Sequence, residues 1–202
     1  MNGLSANGWP RRKTLEAFLI STGIVALAEM GDKTQLLALM LAARYGRSLP
    51  IVLGIFFATL ANHALAAWLG AWITQMAGRD AMRWILGASF LAMAVWTLVP
   101  DRLENEEAGR VRLGVFGATL VAFFLVEMGD KTQVATVALA ARYASIVAVV
   151  AGTTLGMMLA NVPAVVLGER LLRRVPVKTV HRIAAATFAL LGALALVDPQ
   201  FR

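Results

Sequence analysis

The sequence predicts an all-α membrane protein: six transmembrane helices arranged as two inverted three-helix repeats. Three observations predict it. The 202 residues are 59% hydrophobic and only 15% charged, with a mean hydropathy of +0.70. A soluble domain carries roughly 45–50% apolar and about 25% charged residues, and one small core cannot absorb such an excess. Six apolar segments stand apart: Leu15–Ala43, Pro50–Ile73, Arg83–Val99, Leu113–Ala141, Ser145–Leu167 and Val180–Val197. Finally, Glu29-Met30-Gly31-Asp32-Lys33-Thr34-Gln35 recurs without change as Glu127-Met128-Gly129-Asp130-Lys131-Thr132-Gln133.

Each segment is read as one span. A helix needs about 20 residues to cross the hydrocarbon, within a range of about 17–25. Open strands would leave backbone groups unpaired in lipid. The first and fourth segments are longer, so tilt or projection past the bilayer is expected of them. The breaks between segments are polar: Arg44 to Ser48, Gly78 to Asp80, and a stretch holding Arg170, Arg173, Arg174 and Lys178. The most charged break, residues 101–112, links a first repeat at 1–100 to a second at 113–202. Together they form one membrane domain.

The repeat extends beyond the heptapeptide. At the same spacing Ala42-Ala43-Arg44-Tyr45 matches Ala140-Ala141-Arg142-Tyr143. Gly54 matches Gly152, Gly70 matches Gly168, and Phe90 matches Phe188. Asn62 pairs with Asn161 if one residue is inserted. Three spans per repeat place the second half upside down relative to the first. Repeats of that kind place substrate sites near the bilayer midplane between the halves.

The charge balance argues topology rather than nucleic acid. The formal net charge is +7, but the basic residues lie in short gaps between apolar runs. The loops after spans one, three and five carry more Lys and Arg than the opposite side, which places both termini outside. The cluster Arg11-Arg12-Lys13 pulls the other way. The first segment reads as a retained span rather than a signal peptide, because Glu29 and Asp32 interrupt it. Cysteine is absent, which excludes disulfides and thiolate metal sites.

The acids carry the chemistry. Glu29 and Glu127 fall near the middles of their segments. Each ionisable residue at that depth costs about 2.5–3.5 kcal/mol on insertion scales. Six of them, unpaired, would cost roughly 15–20 kcal/mol, more than a typical stability of about 5–15. They must be paired, hydrated, metal-bound or protonated. On a continuous helix Glu29, Asp32 and Gln35 share a face at steps of three, with Lys33 on the flank. Gly31 leaves room for close helix approach, or for a local break that exposes carbonyls.

If the halves meet about a pseudo-two-fold axis, Glu29, Asp32, Gln35, Glu127, Asp130 and Gln133 converge on one cavity. Such oxygen ligands suit Mg²⁺, Ca²⁺ and Mn²⁺. Clustered carboxylates also repel one another, so the same oxygens hold either protons or a dication. Exclusive occupancy is the simplest way to couple metal movement to counter-moving protons. Lys33 and Lys131 are expected to neutralise carboxylates when the metal is absent. Thr34 and Thr132 divide evenly between ligation and bonding to their own helix. Asn62 and Asn161 are read first as interhelical hydrogen-bonding groups and second as metal contacts. His63 has no histidine counterpart in the second half, where Val162 stands, and is read as a local helix contact. Pro163 predicts a kink.

These residues resemble the GDT-type cation/proton antiporter family with its paired E-x-G-D-[KR]-[TS] signature. That family includes the Golgi Ca²⁺/Mn²⁺ transporters and the MneA-type manganese exporters of bacteria. Glu29, Gly31, Asp32, Lys33 and Thr34 match the signature, as do Glu127, Gly129, Asp130, Lys131 and Thr132. The resemblance implies Mn²⁺ or Ca²⁺ export from the cytoplasm against entering protons, with Glu29, Asp32, Glu127 and Asp130 as acidic ligands. The short central linker and the lack of a long leader are similar to the bacterial branch, hence manganese and a bacterial inner membrane.

No enzymatic activity and no bound cofactor are expected. The expected partners are the metal ion, protons and the lipid bilayer, with a second copy of the chain as the candidate protein partner and no nucleic acid. Two other readings compete. A passive cation channel suits titratable acids flanked by lysines less well than exchange does. A membrane-embedded, metal-dependent lipid phosphatase needs a nucleophile or phosphate clamp, and no Ser, His or Arg lies close to either motif in sequence.

Overall fold

The computed structural model describes residues 11–77, 79–98, 114–143, 145–167 and 177–197. Helices are the only regular elements among them: α1 (Arg11–Glu29), α2 (Lys33–Tyr45), α3 (Ser48–Met76), α4 (Arg79–Trp96), α5 (Gly114–Glu127), α6 (Lys131–Tyr143), α7 (Ile146–Leu167) and α8 (Val177–Val197). Three are long and apolar enough to cross a membrane, namely α3, α7 and α8. A fourth span arises if α1 and α2 count as one bent segment. Helices α4 and α5 are apolar but shorter. The expected linker at 101–112 and the basic stretch from Arg170 to Arg174 lie outside the described residues.

The first segment is not one continuous helix, and this corrects the helical-face reading of the motif. Helix α1 ends at Glu29, α2 begins at Lys33, and the two are bent by 71°. Gly31 lies at φ 82°, a left-handed conformation that terminates the helix and that glycine adopts without steric cost. Asp32 then stands extended at the N-cap of α2, so Glu29 and Asp32 do not share a helix face. The identical second copy breaks identically. Gly129 lies at φ 80°, and α5 gives way to α6 between Glu127 and Lys131.

Packing exchanges the halves in pairs. A Cβ on Gly54 of α3 would stand 2.9 Å from the Phe116 carbonyl oxygen of α5. A Cβ on Gly152 of α7 would stand 2.5 Å from the Phe18 carbonyl oxygen of α1. Both members of the second pair lie 98 residues beyond or before their counterparts in the first. Glycine is required at both, because a side chain would collide with backbone that cannot withdraw cheaply. Likewise Phe90 of α4 stacks on its own counterpart, Phe188 of α8, at 6.4 Å between ring centres. Close approach through small residues is how helices associate where lipid removes the hydrophobic drive. Trp68, Trp72, Leu65 and Met76 of α3 are exposed, as suits a lipid-facing surface.

Candidate metal centre

The two helix breaks bring the motifs together inside the protein. Glu29, Asp32, Glu127, Asp130 and Lys131 are each at most 1% exposed. The Asp32 carboxylate makes no cap bond to its own helix. It reaches instead across the halves and accepts from Lys131 Nζ at 2.8 Å. The reciprocal pair joins Lys33 Nζ to Asp130 Oδ1 at 3.2 Å. The flanking lysines thus pair with aspartates of the opposite motif rather than with a neighbour four residues away. Buried charges of this kind persist only when paired.

One carboxylate oxygen each from Glu29, Asp32 and Asp130 lie within 4.8 Å of one another, a spacing that can hold a metal ion. Glu29 also accepts from the Thr34 hydroxyl. Its other oxygen, Oε1, is buried with no hydrogen-bond partner among the described residues. An unpartnered buried acceptor is costly, and either a proton or a cation would satisfy it.

Glu127 stands apart from that group. Its carboxylate accepts from Thr59 Oγ1 at 3.2 Å and from Asn62 Nδ2 at 3.4 Å, both on α3. Asn62 also donates to the Phe124 carbonyl at 3.0 Å. Asn161 is equally buried but turns inward on its own helix, donating to the Met157 carbonyl at 3.1 Å. The two glutamines hold the breaks rather than the acids. Gln35 Oε1 accepts from the Gly31 N–H at 2.9 Å, and Gln133 Oε1 from the Gly129 N–H at 2.7 Å. Gln35 Nε2 also donates to the Ala160 carbonyl at 2.8 Å. Thr132 bonds Asp130 at 3.4 Å. His63 is buried, with neither ring nitrogen hydrogen-bonded among the described residues.

One residue near the centre was not singled out from the sequence. His181 of α8 bonds the Met30 carbonyl through Nε2 at 2.8 Å, in the first break. Its counterpart at the repeat spacing is Arg83, whose guanidinium instead lies over the Trp84 ring, 5.4 Å from its centre. That spacing is the one available sequence signal, since it sets two basic side chains at matching places.

Comparison with known proteins identifies the family of the chain. The family described as "Divalent cation/proton antiporter GDT1" matches residues 17–105 and 115–201. A Vibrio cholerae protein named "Putative manganese exporter" is 48% identical over 191 residues, covering 94% of this chain and 95% of the relative. A GDT1-like protein of Synechocystis sp. is 30% identical over 200 residues, covering 89% and 96%. A GDT1-like protein 4 of Oryza sativa subsp. indica is 28% identical over 199 residues, covering 86% and 70%. No solved structure matches. The apolar helices and the family together make this a membrane transport protein. The chain belongs to the GDT1 family of divalent cation/proton antiporters.

Proposed function

We propose that this protein exchanges a divalent cation, Mn²⁺ before Ca²⁺, for protons, and exports the metal from the cytoplasm of a bacterial cell across its inner membrane. The observation that carries this reading is the charge arrangement at the centre. Four buried carboxylates face two lysine ammonium groups, and each lysine is paired with one aspartate. Glu29 and Glu127 take part in neither of these two ion pairs. One dication or two protons balance them equally well, so the site exchanges one load for the other without burying net charge.

Carboxylate oxygens favour Mg²⁺, Ca²⁺ and Mn²⁺. The name of the Vibrio relative supports Mn²⁺ among these. Glu29, Asp32 and Asp130 bind the ion, Glu127 is the fourth acid of the exchange, and Lys33 and Lys131 hold the aspartates when the metal leaves. Thr34 and Thr132 orient carboxylates. Gln35 and Gln133 hold the breaks open and lend their oxygens only if the Gly31 and Gly129 contacts yield. The architecture is six spans in two inverted repeats, with α1–α2 and α5–α6 as the two broken spans. The reciprocal ion pairs, the Phe90–Phe188 stack and the exchanged glycine contacts support it. Broken helices meeting at a repeat interface are how such transporters build ion sites.

The test is flux in proteoliposomes that enclose a pH-sensitive dye. Adding Mn²⁺ outside should drive protons out of the vesicles, and Glu29→Gln and Asp32→Asn should abolish the response. Mn²⁺ entry without proton movement would instead establish a channel.

A further inference from the structure

The exchange set out above leaves one buried imidazole unused. His63 of α3 is 1% exposed, and neither of its ring nitrogens is hydrogen-bonded among the described residues. A buried imidazole ordinarily bonds through at least one nitrogen, and an unsatisfied one calls for a water or an ion.

The register of α3 places this ring at the second motif. Thr59, Asn62 and His63 stand at i, i+3 and i+4, which makes them one contiguous patch on the helix. Thr59 and Asn62 both donate to the Glu127 carboxylate. Seven residues beyond His63, on the same face, a Cβ on Gly70 would stand 2.2 Å from the Val137 carbonyl oxygen of α6. His63 therefore lies between the contact with the end of α5 and the contact with α6, beside the break that separates them. A helical side chain leans over the turn before it, so the imidazole leans over Thr59, on the side of Glu127. Asn62 offers a further open position there. Its Nδ2 serves Glu127 and the Phe124 carbonyl, and its Oδ1 is buried without a partner among the described residues.

The other half carries no such patch. Helices α3 and α7 are each continuous, and Gly54 and Gly152 make matching close contacts. At that spacing, with no residue inserted, Met157, Ala160 and Asn161 stand where Thr59, Asn62 and His63 stand on α3. Methionine and alanine side chains offer a carboxylate no donor, and the Asn161 amide bonds the Met157 carbonyl. The polar patch thus belongs to the second motif.

We propose that Glu127, Asn62 and His63 form a second cation station beside the Glu29, Asp32 and Asp130 group, with the His63 imidazole as the nitrogen ligand that favours Mn²⁺ over Ca²⁺. This rests on the dication exchange proposed above. Imidazole nitrogen binds first-row transition metals, whereas Ca²⁺ and Mg²⁺ take oxygen ligands. Carboxylates alone do not draw that distinction. The two stations adjoin, because Asp130 of the first group donates its N–H to the Glu127 carbonyl at 3.0 Å. Four acids and two lysines balance one dication, so a single ion visits the stations in turn.

The experiment is electron spin-echo modulation of Mn²⁺ bound to the full-length detergent-solubilised chain, beside Mn²⁺ and Ca²⁺ flux in proteoliposomes. The wild-type spectrum should carry the modulation of a directly bound imidazole nitrogen. His63→Gln should lose that modulation, and His181→Ala should keep it. In flux, His63→Gln should lower the preference for Mn²⁺ over Ca²⁺ about tenfold, through the Mn²⁺ KM, since an amide oxygen still serves Ca²⁺. A wild-type chain that binds Mn²⁺ without nitrogen modulation overturns the station whatever the variants do. Modulation that persists in His63→Gln, or an unchanged Mn²⁺ preference in that variant, overturns it as well. Each of these leaves the exchange reading intact. A wild-type chain that neither binds nor moves Mn²⁺ overturns both.

Discussion

The two motif copies share every residue from glutamate to glutamine, yet the protein treats them differently. Lys131 is fully buried against Asp32, whereas the Lys33 side chain is 24% exposed where it meets Asp130. Glu29 joins the carboxylate group spaced to hold a metal ion, and Glu127 is docked on α3. Met128 is 54% exposed, while Met30 is partly covered and latched by His181. Identical local chemistry therefore does not set the role of each copy. The elements packed around it do.

The largest expected effect separates the lysines. Lys131→Ala would remove the fully buried ammonium paired with Asp32, a loss of about 3–5 kcal/mol. Lys33→Ala, at a partly exposed pair, should cost about 1 kcal/mol or less. Thermal melting in detergent measures both, and equal losses would erase the comparison.

Next come the breaks. Gly129→Ala meets no steric neighbour, so its cost is the left-handed backbone alone, about 1–2 kcal/mol. Gly31→Ala should cost a similar amount, because the two conformations are alike. A much larger loss at one break would show that its surroundings, rather than its φ, decide.

The smallest effect belongs to the latch. His181→Ala removes one hydrogen bond, about 0.5–1.5 kcal/mol, and should change transport rate more than metal affinity. Arg83→Ala removes the contact with the Trp84 ring and should change the rate less. Flux measured against Mn²⁺ concentration separates the two contributions.

Much of this was legible in the sequence. The apolar segments marked helices, and the repeated heptapeptide picked out the acids that the fold buries together. The bend was harder. Glycine between two acids at a spacing of three fits a continuous helix as well as a broken one, and only the backbone at Gly31 and Gly129 decides between them. The cross-half ion pairs were hidden because spacing within one segment sees only its own neighbours, so Lys33 looked like a partner for Glu29. Asymmetry was out of reach, since two identical motifs carry no sign of which glutamate docks on α3 and which joins the two aspartates. His181 escaped notice because its partner is a backbone carbonyl, which leaves no mark in a side-chain pattern.

The most direct test of the charge-balanced exchange is a static-head measurement in proteoliposomes. If one Mn²⁺ replaces two protons at Glu29 and Glu127, a tenfold Mn²⁺ gradient should be held by an opposing difference of about half a pH unit, each tenfold ratio being worth about 1.4 kcal/mol. The balance point should not move with membrane voltage. A balance near one pH unit that shifts with voltage, or no balance at any pH difference, would contradict the account.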